Sequence, residues 1–297
     1  MNRKKLIGIV AACIIVVVAL IASLSGHGPA GDRVVTFQDP NLDTAIREAL
    51  NKPSGPIHAS ELAGLASLTV GDSGIEDLSG LQYCTNLTDL SLGSNQISDI
   101  LPLAKLTSLT HLDLWHNQIS DISPLANLTN LRYLDLGDNG ISDISPLANL
   151  TNLTEILLYS NQIGDISPLA NLTNLRSLSL QYNQTNDISP LANLTSLTHL
   201  DLWHNQISDI SPLASLTSLT YLYLPRNQIS DISALADLTN LTEILLYYNQ
   251  IGDISPLVDN PGLGEGDYVS LGNNPLSSDS IDIHIPQLRA RGVTVDY

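Results

Sequence analysis

The chain has 297 residues and a formal net charge of −18 at pH 7, from 12 Lys and Arg against 30 Asp and Glu. The few basic residues are scattered, which argues against binding to a phosphate backbone, so nucleic acid is not an expected partner. With two cysteines, Cys13 and Cys84, no disulfide framework is expected, and both are predicted to be unpaired.

The N-terminus carries an export or membrane signal. Arg3, Lys4 and Lys5 precede an uncharged, apolar stretch at residues 6–24. Spanning a bilayer takes about 20 apolar residues, and a cleaved signal peptide usually has a shorter apolar core. Residues 1–24 are therefore predicted to be an uncleaved membrane anchor, with a cleaved signal peptide as the alternative. In both cases the basic residues stay in the cytoplasm and the rest of the chain lies outside it.

Residues 25–33, rich in glycine and other small residues, form a predicted flexible linker. Residues 34–64 then predict a helical N-terminal cap. Asp39 followed by Pro40 is typical of a helix start. The residues that share the apolar face of this helix are Leu42, Ala45, Ile46 and Leu50.

From residue 65 to residue 276 the sequence repeats with a period of 22 residues. The unit reads L-x-x-L-x-L-x-x-N-x-I-x-D-I-x-P-L-A-x-L-T-x, in nine full copies and a degenerate tenth. The full units begin at Leu65, Leu87, Leu109, Leu131, Leu153, Leu175, Leu197, Leu219 and Leu241. This period and apolar spacing are typical of a leucine-rich-repeat solenoid. The unbroken periodicity favours one extended domain over the two that the length would suggest.

The unit at residues 109–130 shows how each repeat folds. Leu112 and Leu114 are two positions apart, so both point to one face of a strand. His111, Asp113 and Trp115 point to the other face, which is free. Because one unit cannot cover its own aliphatic side chains, neighbouring units must stack. We therefore predict an α/β solenoid, a curved leucine-rich-repeat horseshoe with a parallel β-sheet on its concave face and short helical or 3₁₀ returns.

Polar residues recur at the turns of each unit. Asn117 and its equivalents follow the strand, where a stacked ladder of amides satisfies buried backbone groups. Ser123 and Pro124 predict the N-cap and first residue of the return. Asp121 belongs to a column of aspartates that we interpret as hydrogen-bond acceptors for this turn, with calcium binding as the alternative. The column consists of Asp77, Asp99, Asp121, Asp143, Asp165, Asp187, Asp209, Asp231 and Asp253.

Residues 277–297 predict a C-terminal cap. Ile281, Ile285 and Leu288 keep helical spacing, and Gly292 ends the helix. Pro286 is expected to kink or split it, because proline cannot donate the backbone hydrogen bond of a helix interior.

The run Asn-Gln-Ile-Ser-Asp-Ile-Ser-Pro-Leu-Ala-Asn-Leu-Thr-Asn at residues 117–130 resembles the 22-residue repeat of the bacterial internalin family. The match extends over residues 65–258, and the flanks at residues 37–47 and 274–293 also resemble internalin-like proteins. The resemblance implies a curved parallel sheet whose concave face binds a protein, in some relatives a host receptor. The sequence shows neither an immunoglobulin-like domain after the repeats nor a Leu-Pro-x-Thr-Gly signal near Tyr297, so virulence and wall anchoring are not part of this expectation.

The variable positions of the free strand face are rich in aromatic, acidic and histidine residues. Exposed aromatic rings beside fixed polar groups are typical of binding hot spots, although aromatic rings also pack across strands. We predict a non-enzymatic module that binds a protein ligand here, with a cell-surface glycan as the alternative. The predicted ligand-binding residues are His111, Asp113, Trp115, His116, Tyr133, Asp135, Glu155, Tyr159, Tyr182, His199, Asp201, Trp203, His204, Tyr221, Tyr223, Glu243, Tyr247 and Tyr248.

A metal-dependent enzyme is the less favoured alternative. His111, Asp113 and His116 with Asp135 supply metal-ligand and acid–base chemistry, yet an open sheet lacks the enclosed pocket that such chemistry needs. We therefore predict no catalytic residue, no metal and no cofactor.

The sequence at residues 109–123 recurs unchanged at residues 197–211, four units later. Trp115 and Trp203 would then stand about 19 Å apart, at ~4.8 Å per strand. Two similar subsites for a repetitive ligand are one interpretation of this identity. Recent duplication alone is the other, and it is the simpler one.

Overall fold

The structure is a computed structural model that describes residues 31–297. Within this range the strands form one 11-stranded sheet and one two-stranded sheet. The predicted anchor or signal segment, residues 1–24, and most of the predicted linker lie outside the described residues. Among residues 31–297, no helix combines the length and the apolar character that a membrane crossing requires.

The main sheet is built from one three-residue strand per repeat and one further strand after the repeats, and its strands follow one another in chain order. All pairs in this sheet are parallel. Its strands are β3 (Ser67–Thr69), β4 (Asp89–Ser91), β5 (His111–Asp113), β6 (Tyr133–Asp135), β7 (Glu155–Leu157), β8 (Ser177–Ser179), β9 (His199–Asp201), β10 (Tyr221–Tyr223), β11 (Glu243–Leu245), β12 (Tyr268–Ser270) and β13 (Thr294–Asp296). The small antiparallel sheet pairs β1 (Val34–Val35) with β2 (Ile57–His58).

Short helices return the chain to the next strand. The 3₁₀ helices are Leu81–Tyr83, Leu101–Lys105, Ser123–Leu125, Ser145–Leu147, Ser167–Leu169, Ser189–Asn193, Ser211–Ser215 and Ser233–Leu235. The α-helices are α1 (Pro40–Ala49), α2 (Ala59–Leu62), α3 (Ser255–Asp259) and α4 (Ile285–Ala290), and a π-helix covers Ser280–His284. The predicted α/β solenoid, a leucine-rich-repeat horseshoe with parallel strands and short returns, is confirmed.

The core runs the length of the solenoid and is aliphatic. Leu112 and Leu114 are fully buried, and so are their equivalents in most of the other repeats, whereas Val70 in the first repeat is partly buried. Cys84 takes the place of a core leucine and is buried and free. Burial of each apolar side chain stabilises the fold by about 1.5–3 kcal/mol, and stacked neighbours supply that burial.

The predicted asparagine ladder is confirmed, and each of its side chains joins two repeats. Asn161 Nδ2 donates to the Leu158 carbonyl at 3.2 Å and to the Leu136 carbonyl, one repeat earlier, at 2.9 Å. Its Oδ1 accepts the Ile141 N–H at 2.9 Å. The degenerate tenth unit keeps this pattern, because Asn274 Oδ1 accepts the N–H of Ile251 at 3.0 Å.

The aspartate column has the structural role that we predicted. Asp121 Oδ1 accepts the Ser123 N–H at 2.8 Å, and the other members do the same in their own repeats. The prediction that Ser123 is the N-cap was wrong. Ile122 occupies that position without a side-chain bond, and Ser123 is the first residue of the 3₁₀ helix. The aspartate two residues earlier satisfies the free N–H instead.

Asp121→Ala is expected to lower the melting temperature and to leave ligand affinity nearly unchanged. The hydrogen bond to the Ser123 backbone N–H lowers the pKa of Asp121 below its usual 3.8. The stabilisation is therefore complete above pH 3.8 and is lost as the pH falls through the lowered value. Thermal melting across this range checks the prediction. Asp237→Ala is the control, since Asp237 is exposed. Equal effects of the two substitutions would contradict this role.

The first helix is tied to the first repeats by one aspartate. Asp39 Oδ1 accepts the N–H groups of Asn41 at 2.9 Å and Leu42 at 3.0 Å, which caps α1 as predicted. Its Oδ2 accepts the Glu76 N–H at 2.7 Å. Leu42 and Ile46 are fully buried, so α1 packs against this end of the core.

At the other end, β13 extends the sheet and two helical segments pack beside it. The break expected at Pro286 is present, because the π-helix changes into α4 next to this residue. Ile285 and Leu288 are fully buried, but Ile281 is 37% exposed. The wider turn of a π-helix shifts Ile281 away from the apolar face that a regular spacing predicts.

Candidate ligand-binding face

The free face of the sheet, here called the concave face, is formed by three columns of side chains. The strand-start column is Asp89, His111, Tyr133, Glu155, Ser177, His199, Tyr221 and Glu243. The strand-end column is Ser91, Asp113, Asp135, Leu157, Ser179, Asp201, Tyr223 and Leu245. The post-strand column, two residues further on, is Gly93, Trp115, Gly137, Tyr159, Gln181, Trp203, Pro225 and Tyr247.

Four predicted residues lie beside these columns. His116, Tyr182, His204 and Tyr248 were assigned to the free strand face, but they occupy the turn that follows it. All four have left-handed backbone conformations, with φ between 52° and 57°. The alternation of side chains ends before this turn, so these residues form a rim, which we call the turn column.

Asp113 and Asp135 form an acidic pair on neighbouring strands, where β5 and β6 place them in register. Asp113 Oδ2 accepts from Ser91 Oγ at 2.8 Å, and Asp135 Oδ1 accepts the Gly137 N–H at 2.8 Å. Burial raises the pKa of Asp135 to about 7, and the charges of Asp113 and Glu155 add to this shift. Burial also raises the pKa of Asp113. The two carboxyls are thus largely withdrawn from water.

Asp201 occupies the equivalent position on β9. Its Oδ1 accepts the Trp203 N–H at 3.0 Å, and burial raises the pKa of its carboxyl to about 6. The neighbouring Tyr223 has a raised pKa, through burial first and the Glu243 carboxylate second. Its phenol therefore stays protonated and able to donate a hydrogen bond at physiological pH.

Two aromatic rings of the post-strand column lie over glycines of the preceding repeat. A Cβ added to Gly93 would lie 2.2 Å from Trp115 Nε1, and one added to Gly137 would lie 2.2 Å from Tyr159 Cζ. Real Cβ atoms do not approach other atoms so closely, so glycine is what permits these ring positions.

The two copies of the duplicated segment have different surroundings. Trp115 lies over Gly93 and is 39% exposed. Trp203 packs between Tyr182 and Tyr247, with ring centroids at 5.1 and 6.5 Å, and its Nε1 is buried without a hydrogen-bond partner among residues 31–297. The equal subsites suggested by the repeated sequence are therefore unequal in structure.

The histidines pair with carboxylates or stack on tyrosines. His111 Nδ1 lies 3.3 Å from Asp89 Oδ1, and His116 hydrogen-bonds to Asp138. His199 stacks on Tyr221 with centroids 4.4 Å apart, and His204 stacks on Tyr182 at 4.9 Å. Across residues 31–297, no group of three or more His, Cys, Asp or Glu side chains is placed to hold a metal ion. The structure thus does not bring His111, Asp113, His116 and Asp135 together as a ligand set.

Acidic groups outnumber basic ones on this face. The three columns from β4 to β11 contain six carboxylates and no Lys or Arg. Arg226 occupies the same turn position in its own repeat as the residues of the turn column, and its Cζ lies 4.5 Å from the centroid of the Tyr248 ring. The carboxylates are Asp89, Asp113, Asp135, Glu155, Asp201 and Glu243.

Several members of the face were not predicted as ligand-binding residues. Asp89 and Ser179 occupy the same strand positions as His111 and Asp113, so the repeat register alone identifies them. Gly93 and Gly137 were not predicted, because a glycine has no side chain that could contact a ligand. Only the packing of the next repeat shows their role.

The repeats and the sheet define a leucine-rich-repeat protein, and this fold is typical of protein–protein binding modules. The family model described as Leucine Rich repeats (2 copies) matches residues 107–149, 151–193, 195–237 and 217–258, and a single-repeat model matches residues 83–100. None of the curated proteins compared with the chain matches it.

Similar solved structures identify the branch of leucine-rich-repeat proteins to which the chain belongs. Internalin C2 from Listeria monocytogenes is 46% identical, over 69% of this chain and 92% of that chain, with a TM-score of 0.68. The internalin InlF from the same organism is 38% identical, over 87% and 88% of the two chains, with a TM-score of 0.61. The chain belongs to the internalin-like leucine-rich-repeat family.

A plant protein shares the fold at lower identity. The ectodomain of the receptor kinase GASSHO1/SCHENGEN3 from Arabidopsis thaliana is 25% identical, with a TM-score of 0.67. The match covers 79% of this chain and 30% of that one. That ectodomain was solved in complex with CASPARIAN STRIP INTEGRITY FACTOR 2.

Proposed function

We propose that the chain is a non-enzymatic binding module that recognises a protein ligand through the aromatic and acidic side chains of its concave face. One observation carries this proposal. The core of residues 31–297 contains a single aromatic side chain, Phe37, whereas both tryptophans and most of the tyrosines lie on the concave face or its rim. Packing of the core therefore does not require these rings, and aromatic anchors are what protein interfaces use most.

The acidic groups support the same proposal. Asp113, Asp135 and Asp201 lie among aromatic rings, where burial raises the pKa of each carboxyl. Keeping a carboxylate in such surroundings costs stability, so its presence favours a functional role. An open sheet of short strands suits a protein surface better than a small molecule, which needs an enclosing pocket.

The proposed setting is outside the cytoplasm. Its support comes from Arg3, Lys4 and Lys5 ahead of the apolar residues 6–24, which orient the N-terminus inward. The proposed organisation keeps the predicted bounds: residues 1–24 as anchor or signal, 25–33 as linker, 34–64 and 277–297 as caps, and 65–276 as the repeats.

The binding free energy of a captured ligand is expected to weaken by ~1–3 kcal/mol in each of three variants, Trp115→Ala, Trp203→Ala and Tyr223→Ala, because each removes an aromatic anchor. Melting temperatures should change little, since these rings lie outside the aliphatic core. The measurement is a pull-down with the full chain against cell-surface extracts and glycan arrays, followed by titration of the captured partner with each variant.

Asp237→Asn serves as the matched control, because Asp237 is exposed and four other repeats have asparagine at this position, as Asn127, Asn149, Asn171 and Asn193. A partner whose affinity ignores all three aromatic substitutions would place the site elsewhere. Capture of glycans alone would favour the glycan alternative. Loss of binding on treatment with a chelator would reopen the metal-dependent class.

A further inference from the structure

We propose that the concave face contains a cation subsite at Asp201, which takes an arginine or lysine side chain of the protein ligand. The inference rests on the proposed function, since it names the chemistry that the concave face recognises. Asp201, Ser179 and the rings around Trp203 form the subsite.

The Asp201 carboxylate has an unused acceptor. Its Oδ1 accepts the Trp203 N–H at 3.0 Å, but no donor within residues 31–297 hydrogen-bonds to Oδ2. The equivalent carboxylate in the first copy is satisfied, because Asp113 Oδ2 accepts from Ser91 Oγ at 2.8 Å. The second copy therefore lacks a bond that the first copy makes.

Ser179 is the second, independent observation. It occupies the place of Ser91 four units later and lies in register with Asp201 on the neighbouring strand. The residue is only 8% exposed, and its Oγ has no hydrogen-bond partner within the described chain. A buried hydroxyl without a partner is unfavourable. Because Ser179 and Asp201 are in register, a donor that binds to the Asp201 carboxylate lies next to this unpartnered side chain.

Aromatic rings surround this position. Trp203 packs against Tyr182 and Tyr247, and Tyr223 follows Asp201 in the strand-end column. The faces of such rings attract cations, and the aliphatic stem of arginine or lysine packs well against them. A guanidinium fits best, because its planar fork donates to two acceptors at once while it stacks on a ring.

The charge of the face matches such a ligand. The three columns from β4 to β11 hold six carboxylates and no Lys or Arg, so no cation of the face itself pairs with Asp201. A carboxylate that is withdrawn from water without a counter-charge is destabilising, and a cation from the ligand removes this penalty. Burial raises the pKa of Asp201 to about 6, which leaves it mainly ionised at neutral pH and ready to pair.

The test is a selection of random dodecapeptides on the immobilised full chain. We expect enrichment of Arg or Lys beside aliphatic or aromatic residues. The tightest peptide is then resynthesised with citrulline for arginine, or norleucine for lysine, and each neutral version should bind at least about tenfold more weakly. Comparison of Arg and Lys versions of one peptide separates the two cations.

Variants locate the subsite. Asp201→Asn should lower the affinity for the basic peptide at least about tenfold, and Ser179→Ala should lower it about threefold. Asp237→Asn removes the same charge from an exposed site and should change the affinity by less than about twofold. Equal losses for Asp201→Asn and Asp237→Asn would show general charge attraction and overturn the subsite. A selection without basic enrichment overturns it as well.

The proposed function fails in a different way. Neutral peptides that lose affinity on Trp203→Ala would leave the concave binding face standing and remove only the cation subsite. Peptides that ignore every concave-face substitution would remove both. Melting curves of Asp201→Asn and Ser179→Ala verify that each variant is folded.

Discussion

Leu158→Ala is expected to lower the free energy of unfolding by ~2–5 kcal/mol, the range for cavities left in protein cores. Leu158 is fully buried directly after β7. Collapse of the cavity is hindered, because the Leu158 carbonyl accepts from both Asn161 and Asn183. Urea titration followed by circular dichroism measures the loss, and Leu180→Ala should behave in the same way.

Leu101→Ala provides the matched control for this substitution. Leu101 is 65% exposed at the start of its 3₁₀ helix, so removal of its side chain should change stability by less than about 0.5 kcal/mol. Losses of similar size for Leu101 and Leu158 would contradict a core that is shared between stacked repeats.

Asp135→Asn is expected to raise the free energy of unfolding by ~2 kcal/mol at about pH 8. The asparagine Oδ1 can still accept the Gly137 N–H, and the substitution removes a buried charge that has no cationic partner on the concave face. When the pKa of a carboxyl rises from 3.8 to about 7 on folding, its ionisation in the folded state lowers the free energy of unfolding by up to ~4 kcal/mol. The open face and relaxation around the side chain reduce this penalty.

The pH dependence has a definite sign. The folded-state pKa of Asp135 lies above the usual 3.8, so the wild-type carboxyl has no penalty below that pH. The penalty grows as the pH rises from 3.8 to about 7 and is constant above it. The gain from Asp135→Asn should follow the same course in denaturant titrations. A gain that persists below pH 3.8 would assign the effect to packing instead of charge.

The fold could be predicted from the sequence because every repeat has the same spacing of apolar and polar residues. Leu112, Leu114 and Asn117 recur with a period that only stacked strands and turns satisfy, and the structure places them as expected. The hydrogen-bonding role of the aspartate column could be predicted in the same way, since Asp121 lies two residues before a backbone N–H that needs an acceptor.

The side-chain positions on the concave face could not be predicted as well, because they depend on contacts with the adjacent repeats. Tyr182 and Tyr248 look like strand residues until the left-handed turn after the strand is seen. Trp115 and Trp203 have identical local sequences, yet one lies over Gly93 and the other packs against Tyr182. A periodicity describes one unit at a time, and it carries no information about such contacts between units.

The rings that lie over Gly93 and Gly137 limit how this surface can be rearranged. A ring of one repeat takes its position from the residue at the same place in the repeat before it. Exchange of a single repeat would therefore alter the surface of two. In recombination or in design, the smallest transferable element of the concave face is a pair of adjacent repeats, and a copied segment acquires a new surface from whatever precedes it.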